Sequence, residues 1–166
     1  MKITVFLFII LASPNLLAQD VAGWNGIVPM VSTRDDVRKQ FGEPKDGSEN
    51  GDLYYMDDYK ASFQYLRKST QDKCSGIILK KGLVTDFLLI PRKPIRLEDL
   101  NLGPEFVRGA INDDLSIDYI NARRGISYGF DQSRKLITIH YYPPKSGDCL
   151  KERGEWKRNV PKIQPR

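Results

Sequence analysis

The stretch "DLYYMDDYKASFQYLRKS", Asp52 to Ser69, reads as two strands, near 53–57 and 60–67, turning at Asp57-Asp58. Ala61, Phe63 and Tyr65 alternate with Ser62, Gln64 and Leu66, the period of two that puts one face on a core. A polar loop (68–75) follows. Then "GIILKKGLVTDFLLIP", Gly76 to Pro91, predicts strands over 77–80 and 83–90 around a tight turn at Lys81-Gly82. Pro91 and Pro94 end the run.

Upstream, "VSTRDDVRKQFGEP", Val31 to Pro44, has the punctuation of a short helix. Ser32 is the expected cap, with Asp35 three residues on to complete a capping box. Asp35 and Asp36 suit the positive end of the helix dipole, and Arg38 and Lys39 the negative end. Val37 and Phe41 share a face, Gly42 suits a left-handed end, and Pro44 prevents continuation. About nine residues do not hold a helix alone, so it must lie on a sheet.

Downstream the theme returns. "RLEDLNLGPEFVRGAIND", Arg96 to Asp113, predicts short helical pieces, one starting at Gly103-Pro104 and ending at Gly109. "SIDYINARRGISYGFDQSRKLITIHYYPP", Ser116 to Pro144, predicts strands over 116–122, 126–131 and 135–142, with turns at Gly125 and Asp131–Ser133. An internal repeat is one reading. Tyr55 and Asp57 align with Tyr119 and Asn121 at an offset of 64, and Ser62, Phe63 and Tyr65 with Ser127, Tyr128 and Phe130 at an offset of 65. Chance likeness of two amphipathic hairpins is the other. The expected fold class is therefore α+β: short helices packed on antiparallel sheet, as two tandem helix-plus-meander units near 29–92 and 95–145.

The N-terminus predicts export. Lys2 precedes Ile3–Ala12, ten residues that are apolar but for Thr4; Pro14 and Asn15 break the run, and Ala18 offers a cleavage point before Gln19. An uncleaved anchor is the other reading, but ten residues of helix reach about 15 Å, half a bilayer core, so cleavage is the expectation. No later stretch is long enough to cross. The expected organisation is a signal peptide over 1–18, a body over 19–150, and a basic flexible tail over 151–166. Final residence is periplasmic or secreted.

Charge is unevenly placed. The chain has 26 basic and 21 acidic side chains. Six of the basic ones (Lys151, Arg153, Lys157, Arg158, Lys162, Arg166) sit in the tail with Glu152 and Glu155, and Lys2 sits in the leader, so the body balances at 19 of each sign. A nucleic-acid-binding fold carries its positive charge on the folded surface, which sets nucleic acid aside. Weak contact of the tail with an anionic surface fits its composition. Cys74 and Cys149 are an even count in an exported chain, so a disulfide is expected, constraining the unfolded chain by about 4–5 kcal/mol in the entropy model. Two free thiols remain open; a redox or metal pair lacks a CxxC spacing and a nearby histidine.

Serine or threonine, a short helix with Val37, then Phe41, Gly42, one residue and Pro44, followed by a meander, resembles the SmpA/OmlA (BamE-type) domains of bacterial envelopes. The tandem helix-plus-sheet plan is similar to β-lactamase-inhibitory proteins. Both resemblances imply a non-catalytic, protein-binding or envelope-assembly role.

Chemistry is sparse. His140 is the one histidine, and no G-x-S-x-G, HExxH or P-loop pattern occurs. The pairs Asp35-Asp36, Asp57-Asp58 and Asp113-Asp114 read as cap and turn residues, since adjacent carboxylates do not face one way on a helix or strand. No cofactor or metal is expected. Tyr54, Tyr59, Tyr65, Tyr119 and Tyr128 crowd the strands, as ordinary packing or as a tyrosine-bearing partner face. Trp24 is expected to pin the start of the body to the core. The expected function is an exported, non-catalytic module for an unknown protein partner; the alternative is an extracytoplasmic hydrolase with a carboxylate site.

Overall fold

The computed structural model describes residues 21–71 and 78–144. The expected leader, Cys74, Cys149 and the basic tail lie outside the described residues. In chain order the elements are α1 (Arg34–Phe41), β1 (Asp46–Gly47), β2 (Gly51–Tyr55), β3 (Tyr59–Tyr65), β4 (Thr70–Gln71), β5 (Ile78–Leu79), β6 (Val84–Pro91), a 3-10 turn (Leu97–Leu100), β7 (Val107–Ile111), β8 (Ile117–Asn121), β9 (Ile126–Phe130) and β10 (Leu136–Tyr141). Eight strands form one antiparallel sheet in the order β1-β2-β3-β6-β10-β9-β8-β7. Its left half is the meander ending in β6, its right half the meander ending in β10, and the two last strands meet at the centre.

This corrects the expected α+β class. The fold is mostly antiparallel sheet with one eight-residue helix among the described residues. The helical pieces expected after Arg96 reduce to the 3-10 turn, which stops where Asn101 turns left-handed (φ 44°), and to a turn in which the Phe106 N–H donates to Gly103 O. Gly109 ends no helix; it lies inside β7, where its missing side chain leaves room beside the Asp118 carbonyl. The Lys81-Gly82 turn is present, with Gly82 at φ 85°, but it does not join a β5–β6 hairpin. β5 pairs with β4 in a small separate ribbon, and β6 pairs with β3.

The helix motif is displaced by one residue. Thr33 caps α1: its hydroxyl accepts from the Asp36 N–H at 3.2 Å, and the Asp36 carboxylate accepts from the Thr33 N–H at 2.8 Å. Ser32 is already committed. Its hydroxyl accepts from the Val28 N–H at 3.0 Å and its carbonyl accepts from Val84. Asp35 stays exposed in the first turn. Gly42 ends the helix at φ 80°, ψ −158°, a conformation open to glycine.

The registers sort every strand residue onto one of two faces. On the first, Tyr54, Ala61, Leu89, Ile139, Tyr128 and Tyr119 lie side by side, as do Asp52, Phe63, Phe87, Tyr141, Ile126 and Asn121. Ala61, Phe63, Val84, Phe87 and Leu89 are fully buried there. Each large apolar side chain so buried stabilises the fold by about 1.5–3 kcal/mol. α1 covers the left half of this face through Val37 and Phe41, whose ring lies 5.2 Å from Trp24, 5.7 Å from Phe63 and 5.8 Å from Tyr54. Segment 95–106 covers the right half with Ile95, Leu97, Leu100, Leu102 and Phe106.

The repeat alignment meets the same test. At the offset of 65, Phe63 and Tyr128 share the first face, as do Tyr65 and Phe130. At the offset of 64, Tyr55 and Tyr119 fall on opposite faces.

Candidate functional site

Two polar constellations stand out, one on each face. The first centres on Asp52, whose carboxylate has no exposed surface. Strand alternation puts residue 52 on the same face as Tyr54, so the charge must be met inside. Arg34, from the first turn of α1, binds both carboxylate oxygens, through Nε at 3.0 Å and through Nη2 more closely. Tyr65 donates its hydroxyl to the same carboxylate at 3.0 Å, and the Arg34 guanidinium lies 5.1 Å from the Tyr65 ring centre. Arg38 Nε stands 3.7 Å off. Burial, with the Asp52 charge beside it, pushes the Tyr65 hydroxyl far above its ordinary range. The Asp52 bond raises Arg34 further. Three donors hold the carboxylate, and its side chain has no surface open to a substrate. This cluster fastens α1 to the sheet edge.

The expected tyrosine face does not exist as a surface. Tyr54 and Tyr65 are buried, and Tyr59, Tyr119 and Tyr128 pack against the core. Strand parity puts all five on the face that the covering layer claims. Tyr55 is the exposed exception, at 56%.

The second face is open. One register row crosses all eight strands: Asp46, Leu53, Ser62, Leu88, His140, Ser127, Ile120, Val107. None of the eight is buried. Neighbouring rows carry Tyr55 with Lys60, Gln64 with Asp86, and Thr138 with Gly129 and Asp118. Near its middle, His140 Nε2 lies 3.4 Å from Asp86 Oδ1, and the Thr85 hydroxyl donates to Asp86 Oδ2 at 2.9 Å. The hydrogen bond from His140 holds the Asp86 carboxyl below its ordinary value, against the opposing effect of burial. Burial raises Tyr142, whose ring lies 5.2 Å from that of His140.

An Asp-oriented histidine is half of an acid–base machine. Among the described residues no serine, threonine or cysteine donates to His140. Two depressions lie toward the left sheet edge, one of about 220 Å³ lined by residues of 46–53 with Ser62 and Gln64, the other of about 360 Å³ lined by residues of 41–45 and 54–56; His140 lines neither. A broad, shallow, mixed-polarity face suits a macromolecular surface better than a small substrate. The acidic pairs do local work. Asp36 caps α1, Asp58 pairs with Lys93 at 2.7 Å, and Asp114 accepts from the Ser116 N–H at 3.0 Å. No described helix is long and apolar enough to cross a membrane.

No family model matches the chain, and no curated protein matches it. Among solved structures it is similar to a DUF4309 family protein (YjgB) from Bacillus subtilis subsp. subtilis str. 168, at 18% identity and a TM-score of 0.50, over 70% of this chain and 82% of that one. At that identity the likeness shows the fold alone.

Proposed function

We propose that this chain is an exported bacterial protein that works without catalysis, holding a protein partner, or a component of an envelope assembly, on the second face of its sheet. The observation that carries the reading is the eight-residue row through Leu88 and His140. It crosses the full width of the sheet with no buried member, while the first face is roofed by α1 and segment 95–106. The apolar leader supports export. The resemblance of the helix motif to SmpA/OmlA domains supports an envelope role.

Affinity capture from envelope extract of the source cells, with the tagged full chain, tests it. A Leu88→Arg variant places a charge in the centre of the row; a Lys39→Glu variant alters the exposed side of α1. The expected result is one protein retained by the wild type and by Lys39→Glu and lost with Leu88→Arg, all three chains melting alike. Retention that ignores Leu88→Arg overturns the assignment of the face.

A further inference from the structure

The second face has a charge pattern that specifies what it receives. Its rows hold three carboxylates: Asp46 on β1, Asp86 on β6 and Asp118 on β8. In spatial order these are the first, fourth and seventh strands, so consecutive carboxylates are three strands, about 14 Å, apart across the sheet. Against them those rows set one lysine, Lys60, whose Nζ is turned over the Tyr55 ring at 5.5 Å. Asp86 has His140. Neither Asp46 nor Asp118 forms an ion pair among the described residues.

Asp118 is the most developed of the three. Asn112 Nδ2 donates to Asp118 Oδ2 at 3.3 Å and fixes the carboxylate. Its other oxygen, Oδ1, leans over Gly129, where a Cβ would meet it at 3.0 Å; Thr138 Oγ1 leans over the same glycine from the other side, at 2.6 Å. The glycine is what lets these two side chains lean in, since a Cβ at residue 129 would collide with them. Here two acceptor oxygens converge above it, and neither has a described donor. Their complement is a group rich in N–H donors that carries positive charge, which describes a guanidinium better than any other side chain.

We propose that the second face receives an extended, arginine-bearing segment of the protein partner, with one guanidinium bridging Asp118 Oδ1 and Thr138 Oγ1 from their solvent side and others reaching Asp86 and Asp46. Across 14 Å an extended chain advances about four residues. The segment therefore carries basic residues at every fourth position or so; Leu53 lies between the first two seats, and Leu88 and Ile120 lie beside the second and third, two residues along the strands of Asp86 and Asp118. This rests on the reading of the second face as the partner surface.

The test is fluorescence anisotropy of the full chain with a labelled dodecapeptide carrying arginine at its second, sixth and tenth positions, beside the same peptide with citrulline, a neutral isostere. The arginine peptide is expected to bind at low salt at least 10-fold more tightly than the citrulline one. Asp118→Asn, which keeps shape and loses charge, weakens it about 5-fold or more; Thr138→Val weakens it about 2-fold; Asp113→Asn, in the nearby turn, leaves it unchanged. Equal binding of the two peptides overturns the proposal, as does an Asp118→Asn variant indistinguishable from Asp113→Asn. A chain with the basic residues of 151–166 changed to glutamine separates the remaining occupant. Binding that tightens several-fold on that change assigns the face to the chain's own tail and overturns a partner segment. Capture lost with Leu88→Arg while the peptide ignores Asp118→Asn sinks this inference alone; the opposite pattern sinks the partner reading.

Discussion

The left and right halves of the sheet have the same number of strands and different roofs. On the left, a capped helix lays Val37 and Phe41 on the strands, and Val37, Ala61, Phe63, Val84, Phe87 and Leu89 have no exposed surface. On the right, a 3-10 turn and loop do the covering. Phe130 keeps 2% exposure and Ile126, Leu136, Ile139 and Tyr141 keep 5–7%, so none of the buried apolar strand residues there reaches zero. The left half also carries the Asp52 cluster, which ties helix to sheet by directional bonds. The half roofed by a capped, clasped helix is the one whose apolar strand residues reach zero exposure.

The largest expected effect is in the left half. Phe63→Ala removes a ring in contact with Phe41, Tyr54 and Phe87, and is expected to cost about 3–5 kcal/mol in denaturant unfolding. Phe106→Ala removes a ring of the right-hand roof that meets Tyr128 at 5.5 Å, and is expected to cost about 1–2 kcal/mol, because its surroundings are already part-solvated. Equal losses would erase the contrast between the halves.

Next is the clasp. Asp52→Ala strands Arg34 and the Tyr65 hydroxyl under α1, at an expected cost of about 2–3 kcal/mol, discounted because Arg34 keeps 26% of its side chain in solvent. Hydrogen exchange should rise in α1 and leave β8–β9 unchanged. The cap follows: Thr33→Ala is expected to cost about 1 kcal/mol and to raise exchange in the first turn of α1. Ser32→Ala should leave that turn protected and act instead on the Val28 N–H.

The smallest effect is the pH dependence of the open face. Asp86 is held below its ordinary value of 3.8 in the folded chain. A depressed carboxyl contributes stability that is complete above the ordinary value and is lost as pH falls through the lower folded one. Carboxyl NMR should show Asp86 titrating below 3.8 in the wild type and moving up in His140→Ala. An unmoved midpoint would mean the 3.4 Å contact carries no bond.

Parity made the strands legible. Ala61, Phe63 and Tyr65 announce β3, and their partners at 84–91 and 136–141 follow from apolar runs bounded by proline and turn residues. The helix was legible too, though its cap was not. Ser32 and Thr33 are chemically interchangeable as caps, and what decides between them is the Val28 and Val84 bonds, which are long-range or irregular. The roof over 95–106 was misread because leucines near helical spacing around Gly103-Pro104 also fit a loop that drops apolar side chains onto a sheet. The Asp52 cluster had one usable signal, an aspartate on the same parity as Tyr54. The second face had none, because which face lacks a roof depends on where segments distant in sequence come to lie.

One feature of the topology bears on biogenesis. β10 is the last described strand in sequence and lies at the centre of the sheet, between β6 and β9. Until it emerges, β6 presents an unpaired edge of eight residues, Val84–Pro91, rich in leucine and isoleucine. Such an edge templates aggregation when left waiting, and contacts this distant in sequence form late. Chain termination before Leu136 therefore yields two sticky half-sheets rather than a smaller stable protein. A holdase covering Val84–Pro91 during synthesis would keep that seam apart until β10 arrives.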